Sequence, residues 1–161
     1  MEIRTAKMGD LDAVTALEAQ CFPPAEAAGR ESFRTRLEAF GDHFWLLFDG
    51  EKLVGMVNGM VTDAPDLADE MYHDAGMHDS AGKWQMIFGV DTLPEYRRRG
   101  CAQRLLERAI ADAREQGRGG VVLTCKDALV HYYAKFGFLD EGISDSSHGG
   151  VVWHQMRLTF Q

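Results

Sequence analysis

A mixed α/β fold is predicted from this sequence, because segments with strand and helix patterns alternate along the chain. Residues 2–7 ("EIRTAK") alternate polar and apolar side chains, which is typical of a half-buried strand. Residues 101–117 ("CAQRLLERAIADAREQG") repeat apolar residues at helical spacing and end at a glycine. Residues 120–125 ("GVVLTC") are a short apolar run, which indicates a buried strand. This order indicates helices packed against a mixed sheet.

The remaining elements follow in chain order. Residues 8–22 predict a helix with Asp10 as its N-cap, and residues 26–40 predict a second one. Two apolar runs joined at Asp49–Gly50 predict a hairpin. Further segments are predicted as a long polar connection (62–83), one continuous strand (84–93), a short helix (127–137) and a final strand (150–160).

Length and composition favour a single domain over residues 1–161. The net charge of −8 disfavours binding to nucleic acid or to an anionic membrane, since both need a cationic surface. Three widely spaced cysteines suggest neither a disulfide framework nor a zinc site, and the N-terminus lacks the apolar core of a signal peptide. We therefore expect a cytoplasmic protein, monomeric or homodimeric, without metal.

Three consecutive arginines, Arg97–Arg99, stand before Gly100 at the entrance of the strongest helix. A helix N-terminus offers free N–H groups and a positive dipole end, so this turn suits a phosphate or pyrophosphate. A solvated basic turn is the plainer alternative, since a basic run alone proves little. The motifs of P-loop and Rossmann nucleotide sites are absent.

Two motifs resemble those of GNAT-type N-acetyltransferases. "RRRGCA" (97–102) is similar to the Arg/Gln-x-x-Gly-x-Gly/Ala loop that holds the pyrophosphate of acetyl-CoA in that family, and "YYAKFGF" (132–138) is similar to its second signature. The resemblance covers essentially the whole chain. It implies the GNAT-like acyl-CoA N-acyltransferase fold, with about seven strands in a mixed, splayed sheet and about four flanking helices.

The resemblance also implies residues for acetyl-CoA, the co-substrate. Backbone amides from Arg99 to Gln103 would hold the pyrophosphate, with the arginine side chains steering the anion. Backbone groups of Phe88, Gly89 and Val90 would pair with the pantetheine arm as an added strand does. The cofactor-binding residues predicted in this way are Phe88, Gly89, Val90, Arg97, Arg98, Arg99, Gly100, Cys101, Ala102 and Gln103.

A narrower resemblance is to the arylalkylamine (serotonin-type) N-acetyltransferases, in a microbial form. It rests on "CFPPAEAA" (21–28), "EYR" (95–97) and "CKDALVHYYAKFGF" (125–138). It implies that Tyr133 is the general acid for the departing CoA thiolate. Trp84 and Met86 stand where vertebrate members carry two histidines. The residues predicted to surround a small amine acceptor, together with the 62–83 connection, are Phe22, Pro23, Pro24, Phe33, Trp84 and Met86.

The general base and the acceptor stay open at this point. Residues that could accept the amine's proton are His73, His78, His148, His154, Asp91 and Glu26, and a chain of water molecules would serve as well. The main expectation is acetyl transfer from acetyl-CoA to a primary amine, with an arylalkylamine as the narrower form that the second resemblance implies. The alternatives are acetylation of a protein N-terminus, a lysine or a polyamine, and a non-catalytic CoA-binding sensor domain.

Overall fold

A computed structural model describes all 161 residues, which fold into four helices and nine strands arranged in two sheets. The helices are α1 (Leu11–Cys21), α2 (Arg30–Phe40), α3 (Cys101–Glu115) and α4 (Val130–Ala134). The strands are β1 (Glu2–Thr5), β2 (Phe44–Asp49), β3 (Lys52–Asn58), β4 (Val61–Thr62), β5 (Trp84–Ile87), β6 (Gly89–Thr92), β7 (Gly120–Cys125), β8 (Leu139–Ile143) and β9 (His154–Thr159). The predicted fold class is confirmed, with two more strands than expected. None of the helices is long and apolar enough to cross a bilayer.

The two sheets separate at Phe88, where the predicted strand over 84–93 divides into β5 and β6. β6 pairs antiparallel with β3 in the order β1-β2-β3-β6, whereas β5 pairs in parallel with β7 in the order β4-β5-β7-β9-β8. β6 is therefore an edge strand, and its outer edge faces a gap rather than β7. The prediction of one continuous strand is wrong, because the backbone bends at Phe88 and the two halves of the segment pair in different sheets.

Gly59, between β3 and β4, packs directly against the point of separation. A Cβ atom on Gly59 would lie 1.8 Å from the carbonyl oxygen of Met86, which is backbone and cannot rotate away. We expect Gly59→Ala to lower the free energy of unfolding by about 1–3 kcal/mol or more, the usual range for overpacking. Gly9→Ala is the control, since no atom lies within 4 Å of a Cβ there. Urea denaturation of both variants measures the difference, and equal stability would contradict this account of the separation.

The helices hold the sheets together through apolar faces. α3 buries Leu105, Leu106, Ala109 and Ala113, which occupy one stripe and pack on the sheet. Each large side chain of this kind contributes about 1.5–3 kcal/mol relative to exposure. Gly117 has a φ of +81°, which ends α3 as predicted because a left-handed residue cannot continue a helix.

Three local predictions need correction, and one strand was missed. Asp10 precedes α1 but does not cap it, because its carboxylate accepts hydrogen bonds from the backbone N–H of Lys7 and from the Arg4 guanidinium. The second helix begins at Arg30 instead of 26, since residues 22–29 form a turn. β9 begins at His154 instead of 150. β8 was not predicted: its side chains are mostly exposed, so apolar alternation is absent.

Candidate active site

A cavity of about 250 Å³ lies in the gap between β6 and β7. β5 pairs with β7 only as far as Leu123, so Thr124 and Cys125 have an open side that faces the cavity. Phe88, Gly89 and Val90 line the opposite side. An open edge strand can accept an extended ligand as an additional strand. The structure therefore brings the three residues predicted for the pantetheine arm to the edge of the gap.

The turn before α3 presents a concentrated group of free donors. None of the six successive N–H groups from Arg98 to Gln103 makes a well-formed hydrogen bond to the protein. Gly100 has a φ of +78°, and Arg98 has a φ of +61°, so the backbone curls around one point at the start of a 15-residue helix. No atom lies within 4 Å of a Cβ placed on Gly100, which leaves room for a ligand. This geometry suits a pyrophosphate.

Two of the three arginine side chains are engaged with the protein. Arg97 donates from Nε to the carbonyl oxygen of Thr92 over 3.2 Å, and the Arg99 guanidinium lies 4.5 Å from the centre of the Tyr96 ring. The turn therefore offers its amides as contacts and its side chains as surrounding positive charge.

A second cavity, of about 210 Å³, connects this turn with the first one. Arg97 and Ala102 line it at one end, and four residues line both cavities: Phe22, Val90, Leu129 and Tyr133. The two cavities therefore adjoin, and together they lie between the start of α3 and the gap between the sheets. A ligand with a phosphate end and a long flexible arm fits these two cavities.

Tyr133, on α4, stands where the two cavities meet and is 7% exposed. Burial, followed by the nearby Cys125 thiol, raises the pKa of Tyr133 well above its usual range. The phenol therefore keeps its proton at neutral pH. Its neighbour Tyr132 lines only the second cavity.

The residues predicted for the acceptor pocket do not all lie together. Phe22 lines the cavity, whereas Pro23 and Pro24 are exposed on the turn after α1 and do not. Phe33, Trp84 and Met86 are buried in the core, outside the cavity lining. The sheet explains this for Trp84 and Met86: β5 lies inside a five-stranded sheet, on the far side of the separation at Phe88. The structure therefore does not bring these six residues together in one pocket.

Residues 144–153, between β8 and β9, form a strap that covers one side of the cavity, and the structure places this strap where the predicted acceptor residues are missing. His148 stacks on the Tyr72 ring at 5.2 Å, and its Nε2 lies 2.9 Å from the carbonyl oxygen of Glu26. Trp153 donates from its indole to the carbonyl oxygen of His148 over 2.8 Å. The Asp69 carboxylate accepts hydrogen bonds from the strap's Ser146 and Ser147. Tyr72, His148 and Trp153 all line the cavity, and the sequence did not single out Tyr72 or Trp153.

Buried charged groups lie beneath the rings of Tyr72, His148 and Trp153. Arg36 is 4% exposed, lines the cavity and forms no ion pair; it donates to Asn58 Oδ1 over 3.3 Å and to the carbonyl oxygen of Tyr72 over 3.1 Å. Its Nε has no hydrogen-bond acceptor. Glu18 also lines the cavity, and Asp91 lies beside it without any exposed surface. The sequence contains a signal for Glu18 and Arg36, since both interrupt the apolar faces of their helices.

The remaining candidates for acid–base or nucleophilic chemistry are distributed unevenly. His73, His148 and Glu26 line the cavity, whereas His78 and His154 do not. Glu26 is held by an ion pair with Lys126 at 2.9 Å. Burial raises the pKa of the Cys125 thiol to about 11, which keeps it protonated and disfavours it as a nucleophile. No group of three or more His, Cys, Asp or Glu side chains is positioned to hold a metal ion.

The fold is a mixed α/β arrangement in which two sheets splay apart at Phe88 over a cavity. Residues 11–138 match the acetyltransferase (GNAT) family, and the chain belongs to that family.

Human N-acetyltransferase 8 is 29% identical over 114 residues, which cover 69% of this chain and 44% of that protein. The chain therefore matches less than half the length of this relative. Among solved structures, the GphF GNAT-like decarboxylase in complex with isobutyryl-CoA superposes with a TM-score of 0.85, at 24% identity over 100% of both chains. The ribosomal-protein-S18-alanine N-acetyltransferase of Escherichia coli superposes with a TM-score of 0.74, at 18% identity over 98% of this chain and 92% of that one. At these identities the structural likenesses show the fold.

Proposed function

We propose that the protein transfers the acetyl group of acetyl-CoA to a primary amine by direct attack within a ternary complex. The observation that carries the proposal is the pair of adjoining cavities that lies between the free amides at the start of α3 and the edge of β6. Membership of the GNAT family supports the same chemistry. In this arrangement the pyrophosphate binds the amides of Arg99–Gln103, and the pantetheine arm follows the edge of β6.

The reaction needs three contributions from the chain: orientation of the thioester, stabilisation of its carbonyl oxygen and a proton for the leaving thiolate. The edge of β6 orients the thioester, and the backbone N–H of Val90 is our candidate for polarising its carbonyl. Tyr133 is our candidate for the proton donor. Burial raises the pKa of a thiol in this cavity, as it does for Cys125, and raises the pKa of the phenol as well, so the case for Tyr133 rests on its position where the two cavities meet.

We further propose that the acceptor is a small amine with an aryl group. The strap, which includes His148 and Trp153, closes the acceptor side of the cavity against Tyr72, and this supports a compact ligand over a protein N-terminus or a lysine on a protein surface. Phe22, Phe88 and Leu129 complete an apolar lining. An aryl ring buries more surface against this lining than the chain of a polyamine does.

Acceptor preference is therefore the test. We expect kcat/KM for tryptamine to exceed that for spermidine by about 10–200-fold, the discrimination that an apolar pocket provides. A tripeptide with a free N-terminus should be weaker than both. Thiol release from acetyl-CoA measures all three. A preference for spermidine would contradict the aryl pocket, and a preference for the peptide would show that the strap opens to admit chains.

A second candidate function follows from Arg36. A buried guanidinium that lines the cavity without an ion pair could hold a carboxylate on the acyl group. GphF is a GNAT-like decarboxylase, so loss of CO₂ from a carboxyacyl-CoA is chemistry that this fold supports. Incubation with malonyl-CoA in the absence of amine separates the two candidates. Acetyl-CoA and CO₂ as products would favour this second function, whereas unchanged malonyl-CoA would exclude it for that substrate.

A further inference from the structure

Glu18 and Asp91 are two carboxyl groups that meet beside the edge of β6. Glu18 projects from α1 and Asp91 from β6 itself. A Cβ atom on Gly89 would lie 3.2 Å from Asp91 Oδ1 and 3.9 Å from Glu18 Oε1, so both carboxyls face the same backbone position. Gly89 and Glu18 line the cavity, and Asp91 lies behind them. The pair is therefore next to the place where the thioester is expected.

One shared proton would supply the hydrogen bond that these two carboxyls otherwise lack. Neither oxygen of Asp91 meets an N–H or O–H donor of another residue, and Glu18 Oε1 also lacks one. The two side chains lie within hydrogen-bonding reach of each other. Burial, and next the charge of Glu18, raises the pKa of Asp91 well above its usual range, so Asp91 is the protonated partner and donates to Glu18. Oε2 of Glu18 is fixed by the backbone N–H of Ala28 over 2.9 Å.

We propose that Glu18 is the catalytic residue that removes the proton from the acceptor ammonium, and that Asp91 is the positioning residue that holds it. The proposal rests on the proposed acetyl transfer. Glu18 suits the role of the base because its side chain lines the cavity. Two donors hold its carboxylate there: the carboxyl group of Asp91 and the backbone N–H of Ala28. The other ionisable groups that face Glu18 are Arg36 from α2, Cys21 from α1 and Tyr72 from the 62–83 segment.

The proton balance of the reaction closes with these residues. The ammonium gives one proton to Glu18, and the neutral nitrogen forms a bond to the thioester carbon. The C–S bond breaks as the carbonyl reforms, and the departing thiolate takes a proton from Tyr133. The second proton on nitrogen returns to Tyr133. The products are the amide, the CoA thiol and one proton, which Glu18 releases to solvent.

Glu18→Gln tests the proposal through its pH profile. The glutamine keeps the shape and the contact with Ala28 but cannot take a proton. We expect kcat/KM for tryptamine at pH 7 to fall by about 10²-fold or more, the usual contribution of a general base, with acetyl-CoA affinity unchanged. The variant depends on free amine in solution, so its activity should rise about tenfold per pH unit toward the pKa of the amine, which narrows the deficit. Glu31→Gln, on the exposed side of α2, is the control and should match the wild-type protein.

Substitutions of Asp91 separate positioning from simple packing. Asp91→Asn still donates a hydrogen bond to Glu18 and should retain most of the wild-type kcat, whereas Asp91→Leu should lose it while acetyl-CoA still binds. In an infrared spectrum the carbonyl band of a protonated carboxyl group should be present in the wild-type protein and absent in Asp91→Asn.

The outcomes distinguish this proposal from the proposed function. If the wild-type protein acetylates no amine, the proposed function fails. If the wild-type protein is active and Glu18→Gln follows the same pH profile, the assignment of the base is overturned while the function stands. A protonated-carboxyl band that persists in Asp91→Asn would overturn the shared proton.

Discussion

Ala102→Glu is expected to abolish acetyl-CoA binding, with a loss of affinity of at least about 10³-fold. Ala102 lies in the first turn of α3 and lines the second cavity. A glutamate there would place a negative charge and a longer side chain beside the pyrophosphate, in competition for the same N–H groups. Isothermal titration calorimetry with acetyl-CoA measures the loss.

Gly100→Glu should have the same effect on binding, but Gly100 has a φ of +78°, so that variant also strains the backbone. Ala102→Glu avoids this strain and is the sharper experiment. Arg98→Gln is the matched control: Arg98 is exposed, and a loss of less than about tenfold is expected because the backbone amides make the main contacts in this account. If a folded Ala102→Glu protein bound acetyl-CoA with full affinity, the pyrophosphate could not bind at this turn, and this assignment would be contradicted.

Tyr133→Phe is expected to lower kcat by about 10²–10⁴-fold, the range for a lost general acid. Phenylalanine fills the same buried space between α4 and the cavities but has no proton to give. Acetyl-CoA affinity should change little, so the loss should fall on kcat and kcat/KM together. Steady-state kinetics of thiol release measures it.

Tyr132→Phe is the matched control for this experiment, since it removes the neighbouring hydroxyl on the same helix. Tyr132 lines only the second cavity, away from the thioester, and a mild effect is expected. Wild-type turnover in Tyr133→Phe would make Tyr133 a packing residue alone. Equal losses in both variants would show that the helix, rather than one hydroxyl, is what matters.

The sequence is informative about the turn before α3 because an anion site at a helix N-terminus is local. Residues 97–103 contain the glycine, the small residues and the helix start within one short motif, so the free amides could be anticipated. The fold class could be predicted for a similar reason, since α3 and β7 carry strong periodic patterns.

The acceptor pocket could not be predicted, because it depends on where the sheets separate. Trp84 and Met86 belong to a strand that is buried on both faces, and alternation cannot show which side faces a cavity. The strap follows β8, where Leu139 and Ile143 are each 73% exposed, so nothing in that segment predicts a strand or its return over the site.

Glu18 and Arg36 each place a charged residue on the apolar face of a helix, which is a signal that the sequence contains. Glu18 follows Val14 and Leu17 on the buried face of α1, and Arg36 stands between Phe33 and Phe40 on the buried face of α2. A charged residue on an apolar stripe costs free energy unless it is paired or has a function. The partner of Glu18, however, comes from β6, more than seventy residues away, and only the folded chain brings the two together.

The central claim is acetyl transfer to an amine in the cavity, and mass spectrometry of the products tests it most directly. The protein is incubated with acetyl-CoA and tryptamine, and both the amide and free CoA are quantified. The account predicts one molecule of N-acetylated tryptamine for each CoA released, and about 10²–10⁴-fold less product from Tyr133→Phe over the same time. Acetyl-CoA that binds tightly at the turn before α3 but yields no acetylated product from tryptamine, spermidine or peptide would contradict it, and would make the chain a CoA-binding domain without transferase activity.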